Sequence, residues 1–450
     1  MGPDYQRPEP ATPVQWQAPL PHGGSTVTLA QWWSQFDDPL LTRLIAAAQQ
    51  VSPSIASAVS RIEQSRATRV AAGAGLGPTL DLQGQLGRGI QELGVPLSAT
   101  QSFGLQASWE LDLFGGQRAA AGATQARLES AQAEWHDARV SVAAEVAARY
   151  TELRACEAQL VLVRADAASR AATAHLTGLA NSGGFRSPAD AALARASASQ
   201  GRVDVTQRRA QCDLHVKALV ALTGMPEPAL REAMTTTQAQ LPRPAQFAVD
   251  SVPAQALAQR PDLLSAEREL AAASADVTQA RALRLPRVSL SGTIAAARVD
   301  TGPLSNNGTL WTVGPIAVSL PIFDGGVRLA NVEAARARLA YATSSYRAKL
   351  RAAVHEVEDA LVTLQGTAER SLDAQGAADD FHTSYLATET RERGGLASLF
   401  ELEDARRTDV RSQTALIDLQ RERVLAWIAL YRALGGGWSA TEQPPTSAAR

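Results

Sequence analysis

Strict alternation of apolar and polar residues marks four short segments of this 450-residue chain, and unbroken helical periodicity fills most of the rest. In Phe103–Leu113 the odd positions are Phe103, Leu105, Ala107, Trp109, Leu111 and Leu113. The even ones are Gly104, Gln106, Ser108, Glu110 and Asp112. A period of two over such a stretch predicts a strand with one apolar and one polar face. Thr79–Gly87 sets Leu80, Leu82 and Leu86 against Asp81, Gln83 and Gln85, and Val288–Ala295 sets Val288, Leu290 and Ile294 against Ser289, Ser291 and Thr293. Leu310–Phe323 changes phase at Gly314-Pro315, from Trp311 and Val313 to Ile316, Val318, Leu320 and Ile322, which predicts a bulge or bend. The four predicted strands span 79–90, 101–113, 287–299 and 309–323, with outward loops at 89–100 and 300–309 and Asn307-Gly308-Thr309 as a turn.

The helical segments are long. A helix of about 20 residues (54–72; 261–284) precedes each strand pair, and a very long helix (117–179; 328–391) follows it. A Gly-Gly turn then leads to a second long helix (188–222; 399–434). At about 1.5 Å per residue, 60 residues make a rod of about 90 Å, which implies bundle or coiled-coil packing. The same grammar thus occurs twice, and four motifs repeat in order. Gly77–Leu82 resembles Leu285–Leu290, and Leu113–Gly116 resembles Ile322–Gly326. Gly183-Gly184-Phe185 resembles Gly394-Gly395-Leu396, and Ala221–Gly224 resembles Ala433–Gly436. The offsets drift only from 208 to 212, so the reading is one half-chain written twice. The predicted division is a strap at 1–36, a first repeat with its lead-in helices at 37–225, a linker at 226–252, a second repeat at 253–436 and a tail at 437–450.

Composition sharpens this picture. The 87 Ala suit closely approaching rods, and 41 Arg stand against 2 Lys. A net charge of −2 and a pI near 6.4 argue against a nucleic-acid partner. A mean hydropathy of −0.13, with no long apolar run, excludes membrane-spanning helices but not a membrane β-barrel, whose strands are only half apolar. No charged n-region and apolar h-region precede Met1, so no signal peptide is read in the sequence. The six His form no zinc motif, and the Gly73–Pro78 stretch has no Lys and runs into a strand. The chain is therefore read as no enzyme, with no metal or cofactor. Cys156 and Cys212 lie on either side of the Asn181–Gly184 turn, at nearly equal height if their helices form a hairpin. They are either a disulfide formed in an oxidising compartment or two buried thiols.

Four strands cannot close a barrel, and lipid does not tolerate an open edge. The chain must share a barrel with copies of itself. Two copies give eight strands with a filled interior, whereas three give twelve with room for water. The predicted fold is thus mainly α with a membrane β-barrel: a long α-helical tunnel plus four strands per chain, shared in a trimeric twelve-stranded barrel. Its lipid-facing residues would be Leu80, Leu82, Phe103, Leu105, Trp109, Leu111, Trp311, Ile316, Val318 and Leu320. The competing reading is a soluble coiled-coil scaffold whose sheet is covered on one face.

The order of elements and several motifs resemble the TolC/OprM-type outer-membrane channels of tripartite efflux systems, in their lipoprotein, NodT-like branch. The resemblance rests on Gly2–Pro8, Trp32–Leu40, Arg260-Pro261-Asp262-Leu263 with Ala266-Glu267, Phe323-Asp324-Gly325-Gly326 and Arg393-Gly394-Gly395. Met1 stands where that branch carries its lipidated Cys: either the native protein has an acylated residue there and an N-terminal lipid anchor, which the resemblance favours, or it is not lipidated. The resemblance implies a passive homotrimeric duct in the outer membrane of a Gram-negative bacterium, with a long periplasmic portion. A periplasmic membrane-fusion adaptor and an inner-membrane pump, of the proton-driven RND type, would open it. Small-molecule or multidrug efflux is the expected use, with antibiotic resistance as its consequence and type I-like protein export as the alternative. The Gly-Gly turns would form the closed periplasmic tip. There Phe400 matches a bulky constriction position, and Glu401 and Asp404, at i and i+3, would form carboxylate rings. Arg393 and Asp404 match positions of links that hold the tip shut, with Arg186 and Asp190 as first-half counterparts. The bland alternative makes Glu401, Glu403 and Asp404 solvated helix charges and Asp190 a first-turn carboxylate.

Overall fold

A computed structural model describes residues 16–18, 32–33, 36, 38–90, 96–242, 257–301 and 303–437. The Gly2–Pro8 motif, Met1, most of the strap and the tail beyond residue 437 lie outside the described residues. Two short helices, α1 (Pro39–Val51) and α2 (Pro53–Ala74), lead to strands β1 (Thr79–Gly89) and β2 (Ser98–Leu111). Then come α3 (Gly116–Ser182), α4 (Pro188–Thr223) and the short α5 (Glu227–Met234). The second half gives α6 (Pro261–Ala282), β3 (Arg287–Thr301), β4 (Leu304–Ser319), α7 (Val327–Arg393) and α8 (Leu399–Ala433). The order helix, strand, strand, long helix, long helix occurs twice with nearly equal lengths. Both α2 and α6 have 22 residues, both α3 and α7 have 67, and α4 and α8 have 36 and 35.

Two predicted loops are shorter than expected. β3 runs on to Thr301 and β4 begins at Leu304, so residues 307–309 lie inside a strand and not in a turn. β2 likewise begins at Ser98, three residues before the predicted start. Backbone pairing continues through these polar stretches without apolar alternation to announce it. β4 ends at Ser319, which leaves Leu320 and Ile322 beyond the strand.

The long helices start where side chains satisfy their orphan N–H groups. Asp112 accepts from the N–H groups of Gln117 (3.2 Å) and Arg118 (2.9 Å), and Asp324 from those of Gly326 (2.9 Å) and Arg328 (3.1 Å). Burial raises the Asp112 carboxyl, but these donors and the Arg118 guanidinium hold it below its ordinary value overall. Ser187 caps α4, with Pro188 in the first turn. Both hairpin turns close identically. Phe185 N donates to Ala180 O and Leu396 N to Arg391 O, each at 2.8 Å, while Gly184 and Gly395 adopt φ of 76° and 74°. This is the Schellman arrangement, and its left-handed position is why glycine stands there.

The chain divides into two compact units, and each draws on both halves of the sequence. One holds the four strands, most of α2, α6 and the first parts of α3 and α7. Ser130 and Ser265 meet in it at 3.1 Å, and Ala123 and Ala126 pack on Ala272. The other holds α1, α4, α5, α8 and the remainders of α3 and α7. Trp32 is fully buried there, stacked on Tyr431 at 5.9 Å and edge-on to Phe36. Arg260, from the second-half motif, is buried and donates to Glu356 (2.7 Å) and to the carbonyl of Ala433 (3.0 Å). Cys156 and Cys212 are joined in a disulfide between α3 and α4, with Cα atoms 5.6 Å apart.

Candidate functional site: an amphipathic sheet and a two-hairpin tip

The strands form one antiparallel sheet in the order β1-β2-β3-β4. Its register sorts the side chains into rows. On one face Leu82, Leu105, Ile294 and Trp311 lie side by side, then Leu80, Ala107, Gly292 and Val313. Next come Trp109, Leu290 and Ile316, and finally Leu111, Val288 and Val318. The phase change predicted at Gly314-Pro315 is a β-bulge: β3 advances two residues from Leu290 to Gly292 while β4 retreats three from Ile316 to Val313. The bulge keeps Trp311 and Ile316 on the same face. The opposite face carries Asp81, Gln106, Thr293 and Thr312, with a Thr293–Thr312 hydroxyl contact of 2.8 Å. At Gly104 a Cβ would lie 2.4 Å from Ala295, so a side chain there would push β2 and β3 apart.

The apolar face is uncovered within its unit. Val313 is 82% exposed, Trp311 72%, Ile316 68% and Leu80 67%. Val318, Leu82, Phe103, Leu105 and Trp109 are also exposed, and Leu111 is half-buried. From the Leu111 row to the Phe103 row is eight residues, about 27 Å at ~3.4 Å per residue. Tilted by ~40°, that band is about 21 Å tall, close to the ~25 Å apolar belt of outer-membrane barrels. Beyond it the same face carries Gln101, Arg298 and Asn307, with Leu86 as the one apolar member of that row. A soluble scaffold would have covered such a face, because each large side chain left in water forgoes about 1.5–3 kcal/mol. β1 and β4 each keep one unpaired edge within the chain. Among the described residues no helix is long and apolar enough to cross a membrane.

At the tip, the positions singled out from sequence have the following partners within one chain. Arg393 pairs with Glu389 at 3.1 Å, one turn back on α7, and not with Asp404. Arg186 reaches across to Glu392 at 2.6 Å, joining the two hairpin turns. Asp190 sits in the first turn of α4, where its N–H donates to Ser187. Glu401 closes a capping box: its carboxylate accepts from Ser398 N (2.6 Å) and Ser398 Oγ (2.9 Å), and Glu401 N donates to Ser398 Oγ. The Ser398 backbone N–H and hydroxyl hold the Glu401 carboxyl below its ordinary value. Asp404 and Phe400 are exposed, Phe400 at 72%, and so are Phe185 and Leu396 on the two turns.

Sequence reasoning missed the buried charges behind the tip. Glu403 is not a solvated helix charge: it is 7% exposed, and Arg406 beside it is 2% exposed. Arg406 donates to Glu403 (2.5 Å), Ser169 (3.1 Å) and Thr173 (3.1 Å), and its guanidinium lies over the Tyr385 ring at 5.7 Å. Ser197 of α4 donates to Glu403 at 2.6 Å, and Arg170 donates to Asp166 (2.7 Å) and Ser197 (3.2 Å). Burial pushes the Asp166 carboxyl above its ordinary value, against the pull of Arg170 and Arg406. No signal along α8 alone distinguishes Glu403 and Arg406 from surface charges.

A sheet with one uncovered apolar face, in a chain that also has two 67-residue helices, has the make-up of an outer-membrane channel subunit. The family model described as "Outer membrane efflux protein" matches residues 44–225 and 252–436, and the chain belongs to that family. It is 30% identical over 452 residues to the pyoverdine export outer membrane protein OpmQ of Pseudomonas putida, covering 96% of this chain and 93% of that one. It is 29% identical over 466 residues to the solvent efflux pump outer membrane protein SrpC of the same species, covering 98% and 96%. Among solved structures it is similar to the open state of the Neisseria gonorrhoeae MtrE outer membrane channel. That match has a TM-score of 0.82 and 26% identity, covering 97% and 98%. The chain is an outer-membrane exit duct of tripartite efflux in a Gram-negative bacterium. Its relatives are channels and not enzymes.

Proposed function

We propose that three copies of the chain close one twelve-stranded barrel and one helical tunnel, and that the tunnel is shut at the two-hairpin tip. The observation that carries this reading is the sheet itself: an exposed apolar face with an open edge at β1 and another at β4. In lipid both edges must be paired, and a second and third copy of the same sheet pair them in a ring. Twelve strands leave a water-filled bore lined by Asp81, Gln106, Thr293 and Thr312. The cargo is a small molecule, in line with the pyoverdine and solvent in the relatives' names. A periplasmic adaptor and a proton-driven inner-membrane pump supply direction and energy, and an N-terminal lipid anchors the native chain.

In this reading Phe400 narrows the tip, and the exposed Asp404 of each chain contributes to a threefold acidic ring. Arg393 of one chain is free to exchange Glu389 for a neighbour's acid, since its ion pair is two-thirds exposed on the Arg side. Glu401 belongs to the helix cap and contributes charge near the ring without forming a link. The test is planar-bilayer conductance of the detergent-purified trimer. Arg393→Ala with Asp404→Ala should raise conductance severalfold. Unchanged conductance removes the gate assignment, and a monodisperse detergent-free monomer removes the channel itself.

A further inference from the structure

A groove of about 790 Å³ crosses all four strands near their hairpin ends. Three consecutive rows line it. Gly84, Phe103, Ala296 and Thr309 make the first, and Leu86, Gln101, Arg298 and Asn307 the third. Both project to the apolar face of the sheet. The row between them gives only backbone to the groove, because its side chains point to the other face. The groove therefore opens on the lipid-facing side and not into the bore. A change of side-chain size creates it. The row below is bulky throughout, with Leu82, Leu105, Ile294 and Trp311, whereas Gly84, Ala296 and Thr309 are small. The Phe103 ring borders the notch, where a Cβ on Gly84 would touch it at 3.6 Å. The volume is within the ~300–1,000 Å³ usual for small-molecule sites.

The outward rim of the groove is charged. Arg298 Nε donates to both carboxylate oxygens of Asp300, each at 3.1 Å. Among the described residues neither terminal NH2 group of Arg298 has a partner, so the fork of its guanidinium is open. Arg88 stands on the same face one row further out, in register with Ala99 and Asp300. At ~4.8 Å per strand and ~3.4 Å per residue, the Cα atoms of the two arginines are about 12 Å apart. Arg88, Arg298 and Asp300 are the ionisable side chains among the described residues of the two hairpin ends, so this margin is net positive. One row is about 7 Å along a strand, or about 5 Å of height at a tilt of ~40°. Arg298 is thus just above the apolar band, at the level of lipid head groups. The helices leave from the opposite ends of the strands, which makes this the outer leaflet.

We propose that the groove binds the phosphorylated saccharide head of an outer-leaflet glycolipid. Arg298 takes one phosphate with its open fork, and Arg88 takes a second. Asp300 would repel a bare phosphate and instead accepts from a sugar hydroxyl. The amides of Gln101 and Asn307 both donate and accept, which suits further hydroxyls. The first acyl carbons lie over Gly84 and Ala296, beside Phe103. A phospholipid with a single phosphate leaves one arginine unserved. This inference rests on the barrel reading above.

Native mass spectrometry of the detergent-purified protein tests this by counting bound lipid. Three probes are titrated: bisphosphorylated lipid A, its dephosphorylated form, and phosphatidylglycerol. Lipid A should bind more tightly than either of the others by about tenfold or more, the worth of one charge-assisted contact. Arg298→Ala should weaken lipid A by a similar factor and leave the dephosphorylated form unchanged. Ala296→Phe fills the notch without touching the charges, and should weaken both forms. Arg336→Ala, an exposed arginine of α7, should change neither. Equal affinity for the two forms of lipid A, or an Arg298→Ala protein that binds lipid A like wild type, overturns the phosphate site. Phosphatidylglycerol bound as tightly as lipid A overturns the saccharide. Wild-type binding by Ala296→Phe overturns the groove. A detergent-requiring trimer that binds none of the three overturns this proposal alone, whereas a detergent-free monomer overturns the barrel reading and the groove with it.

Discussion

Placing an arginine in the apolar rows of the sheet measures where the lipid is. Val313 is the most informative site. It is 82% exposed and sits in the third of the five rows, with Leu80, Ala107 and Gly292. Val318 is on the same strand and face, paired with Val288 in the last row before the helices. Two row steps of two residues separate them, about 14 Å along the strand at ~3.4 Å per residue. At a tilt of ~40° that is about 10 Å of depth, so a belt of ~25 Å centred on the Val313 row leaves Val318 just inside its margin. Val313→Arg should therefore cost about 2–4 kcal/mol per chain, and Val318→Arg about 0–1. Thr312→Arg is one residue away on the polar face and should cost less than Val313→Arg. The assay is reversible urea unfolding in phospholipid vesicles, read by tryptophan fluorescence and by heat-modifiable mobility. Equal costs at Val313 and Val318 would refute a lipid-facing band centred on this row. A Thr312→Arg loss as large as that of Val313→Arg would refute the assignment of faces.

Other consequences follow from single contacts. Replacing Cys156 and Cys212 by Ser removes a crosslink spanning 56 residues, worth about 4 kcal/mol by loop-closure entropy. The double variant should melt at a lower temperature with no change in helix content by circular dichroism. The capping box gives the start of α8 a pH dependence. Glu401 is held below its ordinary value, so its contribution is complete above about pH 4 and disappears as pH falls through the lower folded value. Amide exchange at 399–403 should rise only in that acid range, and Glu401→Gln should abolish the dependence; a transition near neutral pH contradicts the assignment. Asp324→Ala removes acceptors for the N–H groups of Gly326 and Arg328 and should fray the start of α7. Exchange at 326–330 that matches wild type would show that the cap is dispensable.

Features governed by near neighbours in sequence were legible there. Alternation over Phe103–Leu111 reports a sheet face because successive side chains must point oppositely. The Gly-Gly turns were legible because a left-handed residue is needed where a helix reverses. Counting also places the two cysteines level, Cys156 26 residues before Ser182 and Cys212 24 after Pro188 in an antiparallel hairpin, but whether they bond was not legible from that count. The ends of β2, β3 and β4 were less legible, because Ser98, Thr301 and Leu304 are held by register with a partner strand. Glu401 shows a competing signal. Ser398-Leu399-Phe400-Glu401 is itself a capping-box pattern, and the local role took its carboxylate. Glu403 and Arg406 were hidden for a deeper reason: the groups that bury them are 206 to 237 residues away in sequence.

At the buried bases the choice of Arg over Lys has a structural account. Arg154 is fully buried yet serves four groups at once. It donates to Glu157 (2.8 Å), to the carbonyl of Met234 (3.3 Å) and to the Thr237 hydroxyl, and its guanidinium lies 4.8 Å from the centre of the Tyr150 ring. Tyr150 in turn donates to Asp38, the cap of α1, at 2.5 Å, and burial pushes its hydroxyl up to about 12. A planar fork can hold two directions and a ring face together, whereas an ammonium is a point charge on a flexible stem. Arg154→Lys keeps the charge and loses the fork, so at least one of Met234 O and Thr237 Oγ1 goes unserved. With hydrogen bonds to charged groups worth about 1.5–3 kcal/mol, the substitution should cost about 2–4 kcal/mol. Arg154→Met removes the charge but leaves the Glu157 carboxylate without its partner, and should cost at least as much. Thermal unfolding of both variants in detergent checks the ranking. If Arg154→Lys unfolds with wild-type stability while Arg154→Met does not, charge alone is what the site needs, and forked bonding does not explain the arginine there.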